Sequence, residues 1–304
     1  MEIINFQFEL NEEQKRIKKE LFEALLKDIH VRNLMKNFHI DERTVYNNTG
    51  KIKDYIDEKH KCDNCKGLAF CRQKKTGLYL NLIYDKMFIN EVSKCEYLKE
   101  EEVLLSHKKY IIDSNLSNAQ LKIDLEKINL DKENASYQKN VLACVKVLNN
   151  TDASKGIYLY GSPGVGKTYL AAGICNYYAK AKRNCAFIHM PTFISDMKLL
   201  LNDKDLMDRR IKQLKDVDIL ICDDIGGESI TAWTRDEILL PIFNERMEKN
   251  RLTFFTSNYS LSELENHYAL NVRGNAQEIE ALRILERIKA LSFEEFVNGS
   301  NRRS

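Results

Sequence analysis

Apolar and polar positions follow two periods in the second half of the chain, from about residue 136 onward. Short apolar runs are each followed by a longer segment in which apolar residues recur at helical spacing. This alternation predicts a mostly parallel β-sheet covered by helices on both faces. The predicted strands are 157–160, 185–190, 218–223, 253–257 and 291–297. The predicted helices are 166–182, one from Thr192, 233–249, 275–289, and a short one after the capping-box pattern Ser260–Glu263.

The first hundred residues follow a different pattern. Between about residues 6 and 46, apolar residues recur at helical spacing and predict one or two amphipathic helices. The members of this stripe are Ile17, Leu21, Phe22, Leu25 and Ile29. Such a face is either part of a core or a docking surface for a partner. A cysteine-containing segment follows at about 55–100, and a polar connector at about 106–135. We therefore predict domains at 1–105 and 136–304, joined by a linker at 106–135.

Composition limits the class of protein. The chain has 304 residues, 43% of them hydrophobic, enough for two cores. A net charge of +2 is not the strongly basic balance of a DNA coat protein, so contact with nucleic acid would need a local patch. Residues 1–20 do not follow the pattern of a signal peptide, and no apolar run approaches the roughly 20 residues that span a bilayer. A soluble, cytoplasmic protein is expected.

A glycine-rich segment lies between the first predicted strand and helix of the α/β domain. It reads GSPGVGKT and matches G-x-x-x-x-G-K-[ST] in full. Glycines let the backbone N–H groups wrap a polyphosphate, the lysine reaches the outer phosphates, and the threonine can bind Mg²⁺. The alternative is a structural glycine-rich turn in which the lysine has no role in nucleotide binding. The predicted ATP ligands are Gly161, Ser162, Pro163, Gly164, Val165, Gly166, Lys167 and Thr168.

Polar side chains follow two further predicted strands. Asp223 and Asp224 end the run Ile219–Asp224, and Asn258 ends Thr253–Asn258. Ligands of open α/β sheets bind beyond the carboxyl ends of the strands, so Asp223 is expected to face the Mg²⁺ held by Thr168. Asp224 could polarise an attacking water, and Asn258 could hold it near the γ-phosphate. The alternatives are solvated aspartates and ordinary turn chemistry.

Four of the eight cysteines lie in the polar segment before residue 100. Cys62 and Cys65 have C-x₂-C spacing, and Cys71 and Cys95 could close a Cys₄ zinc site. His60 or His107 could replace one cysteine. A disulfide pair or free thiols are the alternatives. The other four cysteines lie in apolar surroundings and indicate buried residues of a reducing compartment.

Arg283 and Arg287 are four residues apart in the last predicted helix and so share one face. A guanidinium there could approach the γ-phosphate held by a neighbouring subunit. Spacing alone favours a solvated basic face instead, with Glu280 and Glu286 nearby.

Several motifs together resemble a known family. GSPGVGKT, ILICDDIGGE, FFTSN and RILERIKAL are similar to AAA+ ATPases of the initiator and helicase-loader clade. The segment CDNCKGLAFC resembles the zinc-binding domain of bacterial primosomal helicase loaders of the DnaI/DnaC type. The sequences WTRDE at 233–237 and Asn-Arg-Arg at 301–303 look specifically DnaI-like, so the likeness covers essentially the whole chain.

The resemblance implies both a fold and residue roles. The fold is an α/β AAA+ P-loop ATPase domain, preceded by a small, mostly helical zinc-binding domain. One departure from the wider AAA+ pattern is expected: only residues 298–304 follow the last predicted strand, so we expect no helical lid. Lys167 and Thr168 match Walker A, Asp223 and Asp224 match Walker B, and Asn258 matches sensor one. Arg287 matches the arginine finger, with Arg283 as its companion. Arg302 or Arg303 could reach the phosphates in place of the arginine of the lid, and the alternative is a disordered basic end.

The resemblance also implies a function. It predicts a weak, regulatory ATPase that binds the replicative hexameric helicase through its N-terminal domain and delivers it onto single-stranded DNA during primosome assembly. ATP, Mg²⁺ and Zn²⁺ are the implied cofactors. Self-assembly on the helicase is possible, and no membrane partner is expected. The alternatives are a transposase-helper AAA+ ATPase, a metabolic P-loop kinase and a zinc adaptor with vestigial nucleotide binding.

Overall fold

The computed structural model describes residues 10–150, 153–270 and 277–302. It divides into two compact units: the N-terminal unit, Met1–Leu104, and the sheet unit, Leu105–Ser304. None of the described helices is long and apolar enough to cross a membrane.

The N-terminal unit begins with four helices and continues with a β-hairpin and a further helix. Asn11 and Asp28 accept hydrogen bonds from the first turns of the first two helices, so each begins at a side-chain cap. The elements are α1 (Glu12–Lys27), α2 (Ile29–Phe38), α3 (Glu42–Asn47), α4 (Thr49–His60), β1 (Leu78–Asp85), β2 (Met87–Lys94) and α5 (Glu96–Leu104).

The predicted apolar stripe of the first helices is only partly core. Leu25 is buried, and Leu21 and Phe22 pack against the same cluster. Ile17 and Ile29 are more than half exposed, at 53% and 55%. The stripe divides because a new helix, α2, starts at the Asp28 cap, which breaks the continuous helical spacing assumed from the sequence. Residues before Leu10 lie outside the described part.

The hairpin of β1 and β2 was not predicted. Its strands pair in antiparallel register from Leu78 opposite Lys94 to Asp85 opposite Met87, and Lys86 adopts a φ of 58° at the turn. Leu82 and Phe88 are buried against the helices. The β-branched and aromatic residues at 78–94 are the sequence signal for these two strands.

The sheet unit alternates strands and helices, as predicted. Its elements are β3 (Ile111–Ser114), α6 (Ala135–Leu148), β4 (Gly156–Tyr160), α7 (Lys167–Lys180), β5 (Cys185–His189), α8 (Met190–Leu199), α9 (Lys204–Asp216), β6 (Ile219–Asp223), a π-helical turn (Thr234–Leu239), α10 (Leu240–Glu248), β7 (Thr253–Ser257), α11 (Leu261–Leu270), α12 (Gln277–Leu291) and β8 (Ser292–Phe296).

The six strands form one sheet in the order β3-β5-β6-β7-β4-β8, and every pairing is parallel. This confirms the predicted parallel sheet. Successive side chains of a strand point to opposite faces. Ile157 and Leu159 of β4 accordingly join the core shared with α6 and α7, whereas Tyr158 joins the core shared with α8 to α12. Because β6, β7 and β4 are neighbours, their carboxyl ends meet at one edge.

Residues 106–135, predicted as a linker, are folded onto the sheet unit. β3 pairs with β5, and Ile123 and Leu125 are buried in the α6/α7 core. The Asn176 side chain of α7 donates hydrogen bonds to the carbonyls of Gln120 and Ile123, at 2.8 and 2.9 Å. Polar residues that indicated a solvated connector instead form turns and caps. Ser114 Oγ, for example, accepts from the Leu116 N–H at 2.9 Å.

Candidate nucleotide-binding site

The glycine-rich segment forms a tight loop between β4 and α7. Gly161 and Gly166 have φ values of 146° and 106°, which side-chain-bearing residues rarely adopt. A Cβ at Gly161 would lie 2.3 Å from the Val297 carbonyl oxygen, and one at Gly166 would lie 2.9 Å from Tyr137 Oη. Neighbouring backbone and side chains therefore require glycine at both positions. The loop leads directly into the N-terminus of α7, where backbone N–H groups can bind phosphates.

The Lys167 side chain is nearly buried, with the residue at 7% exposure. Its ammonium donates to the carbonyls of Gly161 at 2.8 Å and Ser162 at 3.0 Å, and to Asn258 Oδ1 at 2.9 Å. These contacts hold the side chain folded back over the loop, next to the end of β7. A cation in this position can interact with the outer phosphates of a nucleotide.

Asp223 lies at the end of β6, beside the first turn of α7. Its carboxylate accepts from Thr168 Oγ1 at 3.0 Å and from Thr256 Oγ1 at 2.6 Å. Burial raises the pKa of Asp223, while the hydrogen bonds from Thr256 and Thr168 oppose that rise. A buried carboxylate next to a threonine hydroxyl supplies the oxygen ligands that Mg²⁺ prefers.

Asp224 leaves the strand in a left-handed conformation, with φ of 60°. Its N–H donates to Thr256 Oγ1 at 2.9 Å, and its Oδ1 accepts from Asn258 Nδ2 at 3.1 Å. Lys167, Asn258 and Asp224 thus form one hydrogen-bonded chain from the start of α7 to the carboxyl ends of β7 and β6. The structure brings these three predicted residues together.

His189 joins the same group and was not predicted. It ends β5, the neighbour of β6, and its Nε2 lies 3.9 Å from Asp224 Oδ2, with Nδ1 2.8 Å from Thr192 Oγ1. Its position at a strand end next to Asp223 in the sheet is the signal that could have identified it.

A cavity of about 640 Å³ unites these side chains. Ser162 and Val165, predicted as ATP ligands, are not among the described lining residues. The Ser162 carbonyl accepts a hydrogen bond from Lys167, and Val165 is buried in the α6/α7 core. The lining residues are Gln120, Ile123, Pro163, Gly164, Gly166, Lys167, Thr168, Tyr169, His189, Asp223, Asp224, Thr256, Asn258 and Arg302.

The segment after β8 runs back to the glycine-rich loop. The Arg302 N–H donates to the Gly164 carbonyl at 2.9 Å. The Arg302 guanidinium pairs with Glu133 and lies 3.7 Å above the centre of the Tyr137 ring. Arg302 therefore lines the cavity, whereas Arg303 lies outside the described residues.

A buried carboxylate fixes the loop after β6. Glu228 accepts from the Gly226 N–H at 2.8 Å and from Tyr268 Oη of α11 at 2.5 Å. Burial raises the pKa of Glu228. The link ties the backbone just after Asp224 to α11.

The arginine pair lies on α12, outside the cavity lining. Arg283 is exposed, and Arg287 Nε donates to Asn244 Oδ1 of α10 at 2.5 Å. Neither side chain is among the described residues that line the nucleotide cavity of its own chain.

The four cysteines of the N-terminal unit line a separate cavity of about 230 Å³. Cys62 Sγ accepts from Gln73 Nε2 at 3.2 Å, and Cys71 Sγ accepts from the Gly77 N–H at 3.4 Å. The hairpin explains the long gap before Cys95: Gly77 precedes β1, Cys95 follows β2, and the Cys95 N–H donates to the Gly77 carbonyl at 2.8 Å. All four are free thiols. Cysteine sulfur is a zinc ligand, but no three of these cysteines form a group with sulfur atoms within 4.8 Å of one another in the described residues.

The two histidines considered as substitutes have other partners. His60 lies between Asp28 and Asp63, at 2.7 and 2.6 Å. His60, Asp63 and His30 form a group whose possible ligand atoms lie within 4.8 Å of one another. His107 is buried and lies 3.3 Å from Asn176 Oδ1 in the sheet unit. Neither histidine is among the described residues that line the cysteine cavity.

Comparison with known proteins adds to this geometry. The family model described as IstB-like ATP binding protein matches residues 88–288. The replicative helicase loader DnaI of Bacillus subtilis (strain 168) is 30% identical over 299 residues, covering 95% of this chain and 94% of that protein.

Solved structures agree on the fold. A crystal structure of DnaI, 30% identical, superposes with a TM-score of 0.56 and covers 62% of this chain and 98% of that one. A putative primosome component from Streptococcus pyogenes serotype M3, 32% identical, has a TM-score of 0.53 and covers 66% and 98%. The family model, the relative that matches almost the whole chain and the solved structures all agree with the geometry of the nucleotide site. This chain is therefore an AAA+ ATPase of the IstB-like ATP-binding family and belongs to the DnaI-type replicative helicase loaders.

Proposed function

We propose that this chain is an ATP-controlled loader that binds the replicative hexameric helicase and delivers it onto single-stranded DNA. The observation that carries the proposal is the similarity to a helicase loader over 95% of the chain, which includes both units. The nucleotide site supports it, because hydrogen bonds join Lys167 to Asn258, Thr168 to Asp223 and Asn258 to Asp224.

In this proposal the glycine-rich loop, residues 161–168, binds the phosphates through its backbone. Lys167 neutralises the outer phosphates, and Thr168 and Asp223 hold Mg²⁺, directly or through water. Asp224 and Asn258 orient the attacking water, since positioning and electrostatics dominate phosphoryl transfer. Turnover is slow, and ATP acts mainly as a switch.

We assign Arg287 to a neighbouring copy's nucleotide. Its place on α12, outside its own cavity lining, is consistent with action in trans, with Arg283 beside it on the helix. The Asn244 contact would hold the guanidinium ready in the isolated chain. Self-assembly on the helicase would then complete each ATP site.

We further assign one zinc ion to Cys62, Cys65, Cys71 and Cys95. Their shared cavity and the N–H···S hydrogen bonds to Cys62 and Cys71 support this assignment. Zinc there would fix the turn after α4 against the ends of the hairpin. We propose that this N-terminal unit binds the helicase. We also propose that the protein acts in the cytoplasm.

Helicase loading is favoured over transposase assistance. The relative that covers both units is a replicative helicase loader, whereas the alternative gives no account of the cysteine-containing unit.

A loading assay tests the proposal. The full chain, the hexameric helicase and closed circular single-stranded DNA are mixed with Mg·ATP, and helicase on DNA is separated by gel filtration. We expect the chain to form an ATP-dependent complex with the helicase and to increase helicase on circles. Lys167→Ala is the matched control and should lose the ATP dependence. A wild-type chain that neither binds the helicase nor increases loading contradicts the proposal.

A further inference from the structure

Arg302 is a lining residue of the nucleotide cavity that the phosphate and magnesium roles leave unused. Its backbone N–H is bound to Gly164 of the glycine-rich loop at 2.9 Å, so its position is tied to the loop itself. Its guanidinium is stacked over Tyr137 with 3.7 Å between the guanidinium carbon and the ring centre. Tyr137 is fully buried and packs against Gly166, so the stack rests on a rigid base.

The charge of this guanidinium is already paired. Nη1 donates to Glu133 Oε1 at 3.0 Å, and Nη2 contacts Glu133 Oε2. A bidentate carboxylate uses the donors with which an arginine would grip a phosphate. The pair also lowers the pKa of Glu133, so Glu133 stays ionised near neutral pH. Because its charge is paired with Glu133, the Arg302 guanidinium contributes mainly a flat, π-delocalised surface to the cavity.

Three further lining residues match a flat, polar-edged ring. Ile123 supplies an apolar contact, Gln120 an amide and Tyr169 a half-exposed aromatic side chain, at 43% exposure. None of these three carries a charge that a phosphate would need. The lysine and the two aspartates of the cavity come from α7 and from the carboxyl end of β6.

We propose that Arg302, stacked on Tyr137, is the shelf on which the base of the nucleotide lies. The planar guanidinium contacts the ring face, in the way that arginine stacks on aromatic rings. Residues 297–302 thus give the site its preference for a nucleotide over a bare polyphosphate. This inference rests on the proposed ATP site.

The test compares ATP with inorganic tripolyphosphate, which has the phosphates and lacks the base. Calorimetry on the full chain with Mg²⁺ gives both affinities for the wild type, Arg302→Ala and Arg302→Lys. We expect both variants to bind ATP about tenfold more weakly and tripolyphosphate within about twofold of the wild type. Lysine should fail to restore ATP binding because it keeps the charge but loses the plane.

Three controls separate the possible outcomes. Lys289→Ala removes an exposed cation that pairs with Glu286 on the surface of α12, and it should change neither affinity. Lys167→Ala should lower the affinity for both ATP and tripolyphosphate. If neither affinity changes, the assignment of the ATP site is wrong. Suppose that Lys167→Ala lowers both affinities, and that Arg302→Ala lowers neither affinity or lowers both equally. The role of Arg302 as the base shelf is then refuted, and the ATP site is retained. Thermal unfolding of each variant confirms that it is folded.

Discussion

At the residue scale, two adjacent aspartates have different surroundings and therefore different expected roles. Asp223 is 4% exposed and is held by two threonine hydroxyls, whereas Asp224 is turned out of the strand by its positive φ and contacts Asn258. The sequence predicted both as functional carboxylates at a strand end. It could not show the contribution of Thr256, because a threonine within an apolar strand has no signature of its own.

Asp224→Asn should separate ATP binding from hydrolysis. Asparagine keeps the contact to Asn258 but loses the charge that polarises water, so ATP affinity should stay within about threefold while turnover falls about a hundredfold, as for general-base removal. Calorimetry and phosphate release under single-turnover conditions measure the two. Asp223→Asn is the matched control and should weaken Mg·ATP binding itself. Unchanged turnover in Asp224→Asn removes Asp224 from catalysis.

Glu228→Gln should stabilise the chain in a pH-dependent way. Burial raises the pKa of Glu228 in the folded state above its unfolded value, so the ionised group costs stability once the pH rises above the unfolded pKa. Each tenfold difference in proton affinity between the folded and unfolded states corresponds to roughly 1.4 kcal/mol of that cost. Glutamine can still accept from Gly226 or donate to Tyr268.

The advantage of Glu228→Gln should be greatest at neutral pH and shrink as the pH falls and wild-type Glu228 takes up its proton. Urea unfolding at several pH values measures the difference. A gap that widens in acid would contradict the assigned direction of the pKa change. Tyr268→Phe is the control that removes one hydrogen bond without removing the charge.

At the element scale, the β1–β2 hairpin determines which cysteines share the cysteine cavity. Its register returns Cys95 beside Gly77, whose N–H in turn donates to Cys71 Sγ. The C-x₂-C turn could be recognised from spacing alone. The place of Cys95 could not, since it depends on pairing between strands that the sequence analysis did not predict.

Cys95→Ser should weaken zinc binding, and His60→Ala should not. Of these two residues, Cys95 lines the cysteine cavity, whereas His60 is bound between Asp28 and Asp63. Zinc content of reduced, freshly purified protein should be about one per chain, since one tetrahedral site takes four ligands. Competition with a chromogenic chelator gives relative affinities. Loss of zinc in His60→Ala with retention in Cys95→Ser would reassign the fourth ligand.

Arg287 on α12 gives a second prediction at this scale. Arg287→Ala should bind ATP normally and hydrolyse it poorly, by up to about 10³-fold if it acts as a full arginine finger. Mixing Arg287→Ala with Lys167→Ala should restore part of the turnover, because one mixed interface pairs an intact loop with an intact arginine. The measurement is phosphate release with helicase and single-stranded DNA present. If light scattering shows assembly but turnover is not rescued, Arg287 has no role in catalysis and only supports the contact with Asn244 of α10.

At the scale of the whole molecule, the parallel sheet was predictable because its central strands are short apolar runs before a polar end. The order of the strands and the folding of residues 106–135 onto the sheet unit were not. Leu121, Ile123 and Leu125 alternate with polar residues, and only packing against α6 and α7 makes Ile123 and Leu125 part of a core. Such burial depends on a surface formed by distant parts of the chain.

Chelation should affect the two units differently. Zinc binding energy is folding energy in small metal-binding units, so a chelator should unfold the N-terminal unit. ATP affinity should stay unchanged, since the described residues that line the nucleotide cavity all belong to the sheet unit. Circular dichroism and ATP calorimetry with and without chelator check this. Parallel loss of ATP binding would show that the sheet unit depends on the metal.

The contacts of Lys167 have a consequence for ligand discrimination. Its ammonium carries three protons, and three oxygens of the protein already accept hydrogen bonds from it. An incoming anion must therefore compete for this ammonium by exchange. A single inorganic phosphate replaces few of these oxygens, whereas a Mg²⁺-chelated triphosphate replaces several together. We therefore expect the loop to bind a Mg²⁺-chelated triphosphate in preference to small anions, and we expect ATP to release the Asn258 side chain from Lys167.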